Sequence, residues 1–166
     1  MIRILPALNE DDDAIWRILE PTIRAGETYP LPRDMERTQA LAYWHSPGFE
    51  VFVAEEDGAE KDAAILGTYY LRANQTGAAA HVANCGYMSA PWAWGKGVAR
   101  SMCRHSLVRA KERGFRAMQF NLVIASNERA VRLWQHCGFE IVGRLPGAFE
   151  HPRLGFVDAY IMYQTL

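Results

Sequence analysis

A short glycine-containing turn is the part of the sequence whose residue types most directly predict a binding site. It follows a strand pattern and Pro91, and it reads, in order, Trp94, Gly95, Lys96, Gly97, Val98 and Ala99. Small residues let the backbone approach an anion closely, and the first N–H groups of the helix that begins here point toward that anion. The turn therefore predicts a site for a pyrophosphate or a similar group.

Two common phosphate-binding motifs do not match this turn. Its spacing is neither the G-x-x-x-x-G-K-[ST] of a nucleotide P-loop nor the G-x-G-x-x-G of a dinucleotide fold, and Lys96 precedes a glycine rather than a magnesium-binding hydroxyl. Arg100 and Arg104 lie one helical turn apart, where they either bind a further phosphate or stay solvated. Taken alone, the turn is equally consistent with phosphate binding and with a tight structural turn.

The elements that must position this turn alternate between strand and helix patterns. Strands are predicted at Arg3–Ala7, Phe49–Ala54, Ile65–Arg72, His81–Ser89, Met118–Ile124, Phe139–Gly143 and Val157–Tyr163, with a charged turn at Glu55–Asp62. Helices are predicted at Ala14–Ile23, where Pro21 should kink or end the helix, at Asp34–Trp44, at Val98–Arg113 and from Asn127 to Cys137. No repeat or linker interrupts the pattern, so residues 1–166 are predicted to form one α/β domain with a mixed sheet.

The charge and cysteine content disfavour several classes of protein. Eighteen basic and nineteen acidic residues leave a net charge of -1, so we expect no nucleic-acid partner and no membrane partner. The N-terminus has no apolar signal core, and no apolar run is long enough to span a bilayer. Cys85, Cys103 and Cys137 are odd in number and lack metal-ligand spacing, as do the histidines, which predicts reduced thiols, a cytoplasmic protein and no metal.

Residues in the C-terminal third decide between the two interpretations of the turn. The pattern Asn127-x-x-Ala130-x-x-Leu133-Trp134-x-x-x-Gly138-Phe139 begins thirty residues after Gly97. It closely resembles the second signature of the GNAT superfamily of N-acetyltransferases, and the segment from Pro91 to Ala99 resembles the first. The resemblance extends from near residue 3 to the Asp158-x-x-x-Met162 ending.

The resemblance implies a fold and a co-substrate. The GNAT fold is a mixed, mostly antiparallel sheet of about seven strands with about four flanking helices. Strands His81–Ser89 and Met118–Ile124 would run parallel and splay apart, with the pantetheine arm of acetyl-CoA in the gap. The groups implied to contact acetyl-CoA are backbone groups near Met88 and Ser89, the amides from Gly95 to Arg100, and the side chains of Trp94, Asn127, Ala130 and Trp134. Asn127 equally suits an ordinary helix N-cap.

Three positions depart from the family pattern. Trp94 stands where Arg or Gln is common, which removes a polar contact near the phosphates but leaves the backbone amides. Trp134 stands where many members have a tyrosine that protonates the departing thiolate, and an indole N–H is no acid near neutral pH. Asn84 stands where the phosphinothricin-type branch has a glutamate as candidate base. An amide takes no proton, so Asn84 can orient a water or bind the acceptor.

Two side-chain amides in neighbouring strands are candidates for binding the acceptor amine. Asn84 and Asn121 are either a buried hydrogen-bonded pair or ligands for a substrate, and we favour ligands because both border the gap. With Asn127, they are also similar to the acetyltransferases that modify proline analogues, in which such amides bind a small amino-acid carboxylate.

The loop Gly26–Pro32 normally covers the acceptor site in this superfamily. Glu27 and Tyr29 are therefore expected to recognise the amine, although a solvated acid and a packed tyrosine fit them equally. A neutral amine would attack the thioester carbonyl, with strand amides near Met88 stabilising the oxyanion. The base would be Glu27 through water, Tyr87, or no residue at all for an amine of low pKa.

The function predicted is acetyl transfer from acetyl-CoA to the primary or secondary amine of a small molecule, an amino acid or its analogue, by direct attack in a ternary complex. A peptide N-terminus is an alternative acceptor, and a non-catalytic acyl-CoA sensor is an alternative of another class. The C-terminal strands of such proteins often pair two subunits, so a homodimer is expected. The aromatic residues that would form its surface, or else belong to the core, are Phe149, Phe156, Tyr160 and Tyr163.

Overall fold

The computed structural model describes residues 1–59 and 64–166. Its strands are β1 (Ile2–Pro6), β2 (Glu50–Glu56), β3 (Ile65–Ala73), β4 (Val82–Ser89), β5 (Ala117–Ile124), β6 (Glu140–His151) and β7 (Gly155–Thr165). They form one sheet in the order β1-β2-β3-β4-β5-β7-β6. All neighbouring strands are antiparallel except β4 and β5, which are parallel. The fold class predicted from the sequence is confirmed.

Four α-helices of eight or more residues lie within the described residues. They are α1 (Asp12–Ala25), α2 (Arg37–Trp44), α3 (Val98–Glu112) and α4 (Glu128–His136), and three short 3-10 helices lie at Asn9–Asp11, Gly77–Ala79 and Pro91–Ala93. None of the helices in this part of the chain is both long and apolar enough to cross a membrane.

Pro21 lies inside α1, and the helix stops nearby, at Ala25 before Gly26, as predicted; Gly26, in the left-handed region at φ 64°, ends it. One prediction about element boundaries needs correction. The closing strands are longer than predicted. The side chains of β6 are mostly exposed, so its hydrophobic pattern gives little sign of the backbone pairing with β7. Residues 60–62 of the predicted charged turn lie outside the described residues.

The helices cover both faces of the sheet. On one face α1 and α2 pack on β3, where the Trp44 indole N–H donates to the Thr68 hydroxyl over 3.0 Å. On the other face, α3 and α4 meet around Tyr87 of β4. Its hydroxyl lies 2.6 Å from the Ser106 hydroxyl of α3, and its ring centroid lies 5.0 Å from that of Trp134 in α4. The core therefore fixes β4 from both sides.

The parallel pair separates soon after it begins. β4 and β5 pair only at Val82 with Ala117 and at Ala83 with Met118, so the rest of both strands diverges. The register between β5 and β7 shifts between Phe120 and Val123, which marks a β-bulge. A bulge bends its strand and re-aims its side chains. It therefore turns β5 away from β4 and opens a gap in the middle of the sheet.

Candidate active site

The gap between β4 and β5 continues into a single cleft of about 980 Å³. It runs from the acceptor loop and the polar ends of β3 and β4 to the glycine turn and α4. The charged side chains that line it are Arg72, Arg100, Arg129 and Arg132, with His136 at the α4 end. No Asp or Glu of the described residues lines it. The cleft is thus positively charged in a chain whose net charge is -1.

The open edge of β4 presents the backbone of alternate residues. Ala90 N–H donates to Leu66 O, and Asn74 N–H donates to Val82 O, so even-numbered residues of β4 face β3 in a register without a shift. The backbone groups of Cys85, Tyr87 and Ser89 therefore face the gap. The backbone of Met88 itself pairs with β3, and its buried side chain lines the cleft. The contact of backbone groups near Met88 and Ser89 with acetyl-CoA stays a prediction.

The glycine turn ends in a helix start suited to an anion. Gly95 and Gly97 have φ of 78° and 76°, a conformation that side-chain-bearing residues rarely adopt. The first helical bond, from Ser101 N–H to Gly97 O, leaves the N–H groups of Val98, Ala99 and Arg100 without a partner in the described backbone. Such free amides at a helix N-terminus bind phosphate groups.

Lys96 already has partners within the protein. Its ammonium forms an ion pair with Glu56 of β2 at 2.7 Å, and its N–H donates to Ala93 O at 3.3 Å. Its contact with the cofactor stays a prediction. The other predicted residues of the turn, Trp94, Gly95, Gly97, Val98, Ala99 and Arg100, line the cleft.

The start of α4 forms the opposite wall of the cleft. Asn127 accepts the Ala130 N–H at its Oδ1 over 3.3 Å, so the side chain is the N-cap that its position allowed. The remaining donor that it offers a ligand is Nδ2. Ala130 and Trp134 also line the cleft, and their contact with the cofactor stays a prediction. Trp134 is buried between Tyr87 and Phe120, with ring centroids at 5.0 and 5.2 Å.

Tyr87 and Cys85 are both unsuited to exchanging protons with a substrate. Burial raises the pKa of the Tyr87 phenol well above its ordinary value, and its hydroxyl contacts Ser106 under α3. A base at neutral pH would have to be the phenolate, so these observations disfavour Tyr87 as the base, and that role stays a prediction. Burial likewise raises the pKa of Cys85 to about 12, so this cleft-lining thiol stays neutral and is a poor nucleophile.

The two predicted acceptor amides do not bond to each other. Asn84 donates through Nδ2 to Gln119 O over 2.9 Å and so bridges β4 to β5 where they begin to separate. Asn121 donates to Asn74 Oδ1 over 2.7 Å and accepts from Gln119 Nε2 over 2.9 Å. Both amides line the cleft. Their roles as substrate ligands stay a prediction.

The acceptor loop places its two predicted residues differently. The Tyr29 hydroxyl reaches the gap and donates to Tyr87 O over 3.0 Å. Glu27 instead forms an ion pair with Arg153, in the turn between β6 and β7, at 2.7 Å. Its carboxylate is absent from the cleft lining, and its role in recognising the amine, or as a base through water, stays a prediction. Glu27 holds the loop to the β6–β7 hairpin.

Several cleft residues were missed by the sequence interpretation. Arg129, Arg132 and His136 follow an i, i+3, i+7 spacing on α4, which could have identified a shared cationic face. The Arg129 guanidinium lies 3.9 Å from the centroid of the Trp94 ring and thereby connects the two walls. Arg72 and the tyrosines Tyr43 and Tyr70 line the acceptor end. Within residues 1–59 and 64–166, no group of three His, Cys, Asp or Glu could hold a metal ion.

The residues present fit a long phosphate-bearing thioester. Free amides and arginines lie at one end, and unpaired strand backbone lies in the middle, where an extended amide-containing chain can add to the edge of β4. The open acceptor end lies beyond. This arrangement provides for two ligands that meet beside Tyr87.

Comparisons with known proteins point to one family. A family model described as "Acetyltransferase (GNAT) family" matches residues 13–139. The chain is 30% identical over 154 residues to the N-acetyltransferase aca1 of Schizosaccharomyces pombe, covering 84% of this chain and 72% of that protein.

The fold is shared with solved structures. The GCN5-related N-acetyltransferase from Kribbella flavida is 35% identical, with a TM-score of 0.92 over 99% of this chain and 98% of that one. The phosphinothricin acetyltransferase from Sinorhizobium meliloti, solved in complex with acetyl-CoA, has a TM-score of 0.84 over 99% of this chain and 88% of that one. At 19% identity, the second likeness shows the fold alone.

Proposed function

Because the chain belongs to the acetyltransferase (GNAT) family, we propose that it transfers the acetyl group of acetyl-CoA to the primary or secondary amine of a small molecule, an amino acid or its analogue. The observation that carries this proposal is the continuous cleft, which joins the free amides of α3 to the unpaired edge of β4. Phosphates and pantetheine would lie along that path, and the acceptor would lie beyond it. Acetyl-CoA supplies an acetyl group already activated as a thioester.

The chain's own residues support a direct transfer within a ternary complex. Cys85 is kept neutral by burial, which raises its pKa to about 12, so a covalent acetyl-cysteine at this position is disfavoured. The N–H groups of Tyr87 and Ser89 face the gap and can donate to the carbonyl oxygen as it gains negative charge. Positioning and this hydrogen bonding would supply the rate enhancement.

No carboxylate of the described residues lines the cleft. This affects how the amine is deprotonated and which charge the acceptor can carry. Without such a base, the amine must lose its proton to water before it attacks. The arginines that line the cleft would repel a cationic polyamine, whereas the carboxylate of an amino acid would be attracted to them. This supports an acidic acceptor over a polycation, and it supports placing the chain near the phosphinothricin and proline-analogue acetyltransferases.

A turnover assay tests the proposal. Purified protein, acetyl-CoA and a panel of amino acids, proline analogues, phosphinothricin-like amines, polyamines and short peptides are incubated, and N-acetylated products are measured by mass spectrometry. Product from amino acids or their analogues is expected. Acetylation of peptides alone would point to a peptide N-terminal acetyltransferase. Calorimetric binding of acetyl-CoA without any product would point to an acyl-CoA sensor, and absence of binding would contradict the proposal altogether.

A homodimer and a cytoplasmic location remain part of the proposal. Phe156 is 75% exposed on β7, and Leu154 in the adjoining turn is 61% exposed, which supports a dimer surface there. Phe149 is buried, and Tyr160 and Tyr163 are half-buried, so these three belong mainly to the subunit itself. Light scattering of wild type and of Phe156→Glu would test the dimer, since a charge in the interface should give a monomer.

A further inference from the structure

Arg72 lies at the acceptor end of the cleft. It is half-buried near the end of β3 and is paired in register with Asn84 of β4, so both side chains share one face of the sheet. Its guanidinium lies 5.3 Å from the centroid of the Phe49 ring, and Arg72 lines the cleft together with Tyr70. Neither the glycine turn nor α4 contributes at this end.

The guanidinium of Arg72 has an unmatched charge and unmatched donors. Its Nε is buried and has no hydrogen-bond partner, and its Nη1 reaches only Ala73 O at 3.5 Å, near the limit for a hydrogen bond. Within the described residues, Arg72 forms no ion pair, whereas Arg109 and Arg113 both pair with Glu50. A buried donor without a partner costs free energy, so it requires an explanation.

The surroundings of Arg72 are neutral. The cleft residues near it are hydroxyl or amide groups, namely Tyr43, Tyr70, Asn84 and Asn121, and no Asp or Glu of the described chain lines the cleft. An arginine presents two parallel N–H donors that match the two oxygens of a carboxylate. The missing partner of Arg72 is therefore expected to arrive with a ligand.

We propose that Arg72 binds the carboxylate of the acceptor, which makes the acceptor an amino or imino acid with a free carboxylate. This inference rests on the proposed acetyl transfer. Asn84 and Tyr87 are three residues apart on β4, roughly 10 Å in a strand. A hydrogen bond of about 2.9 Å, a small amino acid and an attack distance of about 3 Å together span such a separation. Arg72 thereby selects the acid and directs its amine toward the open edge at Tyr87.

The test compares free amino acids with their carboxamides. L-Proline and prolinamide, and glycine and glycinamide, are assayed at equal concentrations of neutral amine, so that the different amine pKa values do not enter. The variants are Arg72→Met, which keeps an aliphatic side chain and removes the charge, and Arg72→Lys, which keeps the charge but loses the two parallel N–H donors. Arg3→Met is the matched control, because Arg3 lies in β1 and pairs with Glu55 and Asp57 outside the cleft.

Wild type and Arg3→Met are expected to prefer the acid over the amide. In Arg72→Met, kcat/KM for the acid should fall roughly 10- to 100-fold, the range of hydrogen bonds to charged groups, while kcat/KM for the amide stays unchanged. For the acid, kcat/KM of Arg72→Lys should lie between the values of wild type and Arg72→Met. The calorimetric Kd for acetyl-CoA should not change in any variant.

The outcomes separate this inference from the proposed function. Amine turnover without a preference for the acid, or a preference that survives in a folded Arg72→Met, would overturn the role of Arg72 and leave the acetyltransferase intact. If Arg72→Met does not fold, a preference retained in Arg72→Gln or undiminished in Arg72→Lys overturns it equally. Binding of acetyl-CoA with no turnover of any amine would overturn the proposed function, and the inference with it.

Discussion

The Tyr29 hydroxyl donates a hydrogen bond to the backbone carbonyl of Tyr87 over 3.0 Å. Fifty-eight residues separate the two in sequence, and this bond brings the loop between α1 and α2 onto the open edge of β4. Burial raises the pKa of the Tyr29 phenol well above its ordinary value, so it remains a donor at neutral pH. The acceptor loop is thus tied to the place where transfer is proposed.

Replacing Tyr29 with Phe removes this hydrogen bond while keeping the ring. A neutral hydrogen bond contributes about 1 kcal/mol, so kcat/KM for the acceptor should fall about 5-fold. The Kd for acetyl-CoA should change little. Tyr163→Phe is the control, because Tyr163 lies in β7 outside the cleft. An equal loss in both variants would mean that the hydroxyl acts through general stability rather than through the loop.

The pH dependence of turnover should follow the acceptor and not the enzyme. No carboxylate of the described residues lines the cleft, and burial raises the pKa of Tyr87 well above its ordinary value. We expect kcat/KM to rise tenfold per pH unit and to level off at the pKa of the acceptor amine, at different pH values for two amines of different pKa. A common plateau pH for both would reveal a titrating group of the protein.

Asn84 should contribute more to stability than Asn121. Asn84 is buried and bridges β4 to Gln119 O, whereas Asn121 is exposed and bonds to the side chains of Asn74 and Gln119. In urea unfolding, Asn84→Ala should lower the free energy of unfolding by about 1–3 kcal/mol, and Asn121→Ala by roughly 0.5 kcal/mol or less. The reverse order would show that the bridge does not hold the parallel pair together.

The contact between Trp94 and Arg129 should support cofactor binding modestly. The indole is 76% exposed, with the Arg129 guanidinium 3.9 Å from its centroid. An exposed cation–π contact contributes about 0.5–1 kcal/mol, so Trp94→Ala should raise the Kd for acetyl-CoA about 3-fold. Trp92→Ala is the control, since Trp92 is also exposed but does not line the cleft. No difference between the two variants would remove Trp94 from the cofactor site.

Cys137 should be the most reactive of the three thiols. A hydrogen bond with Cys103 and then the charges of Arg100 and Arg104 lower the pKa of Cys137, whereas burial raises the pKa of Cys85 to about 12. Because the thiolate reacts, iodoacetamide should alkylate Cys137 faster than Cys85 at neutral pH. Peptide mass spectrometry measures this. Faster labelling of Cys85, or a fast phase that persists in Cys137→Ser, would contradict it.

Local chemistry made part of the site predictable from the sequence. Gly95 and Gly97 have the positive φ that a tight turn before a helix requires, and Asn127 caps α4 as its position before a helical pattern predicts. These features depend on residues within a few positions of one another. For the same reason, the order of strands and helices, and with it the family, could be read without coordinates.

Contacts between residues distant in sequence determined the other features of the site. Lys96 pairs with Glu56 forty residues away, and Glu27 pairs with Arg153 across the molecule. The register of β3 determines that Tyr87 rather than Met88 turns its backbone to the gap. Periodicity gives the alternation along a strand but not which neighbour each residue faces.

Arg72 combines a feature that the sequence shows with one that only the tertiary structure shows. The sequence places an arginine at the end of a strand, where most arginines are solvated or paired. Only the packing of Phe49, Tyr70 and Asn84 around it leaves its Nε buried without a partner. The sequence by itself determined the family, the glycine turn and the cap of α4. The tertiary structure decided which charges are already paired and which remain for a ligand, because pairing depends on distance in space.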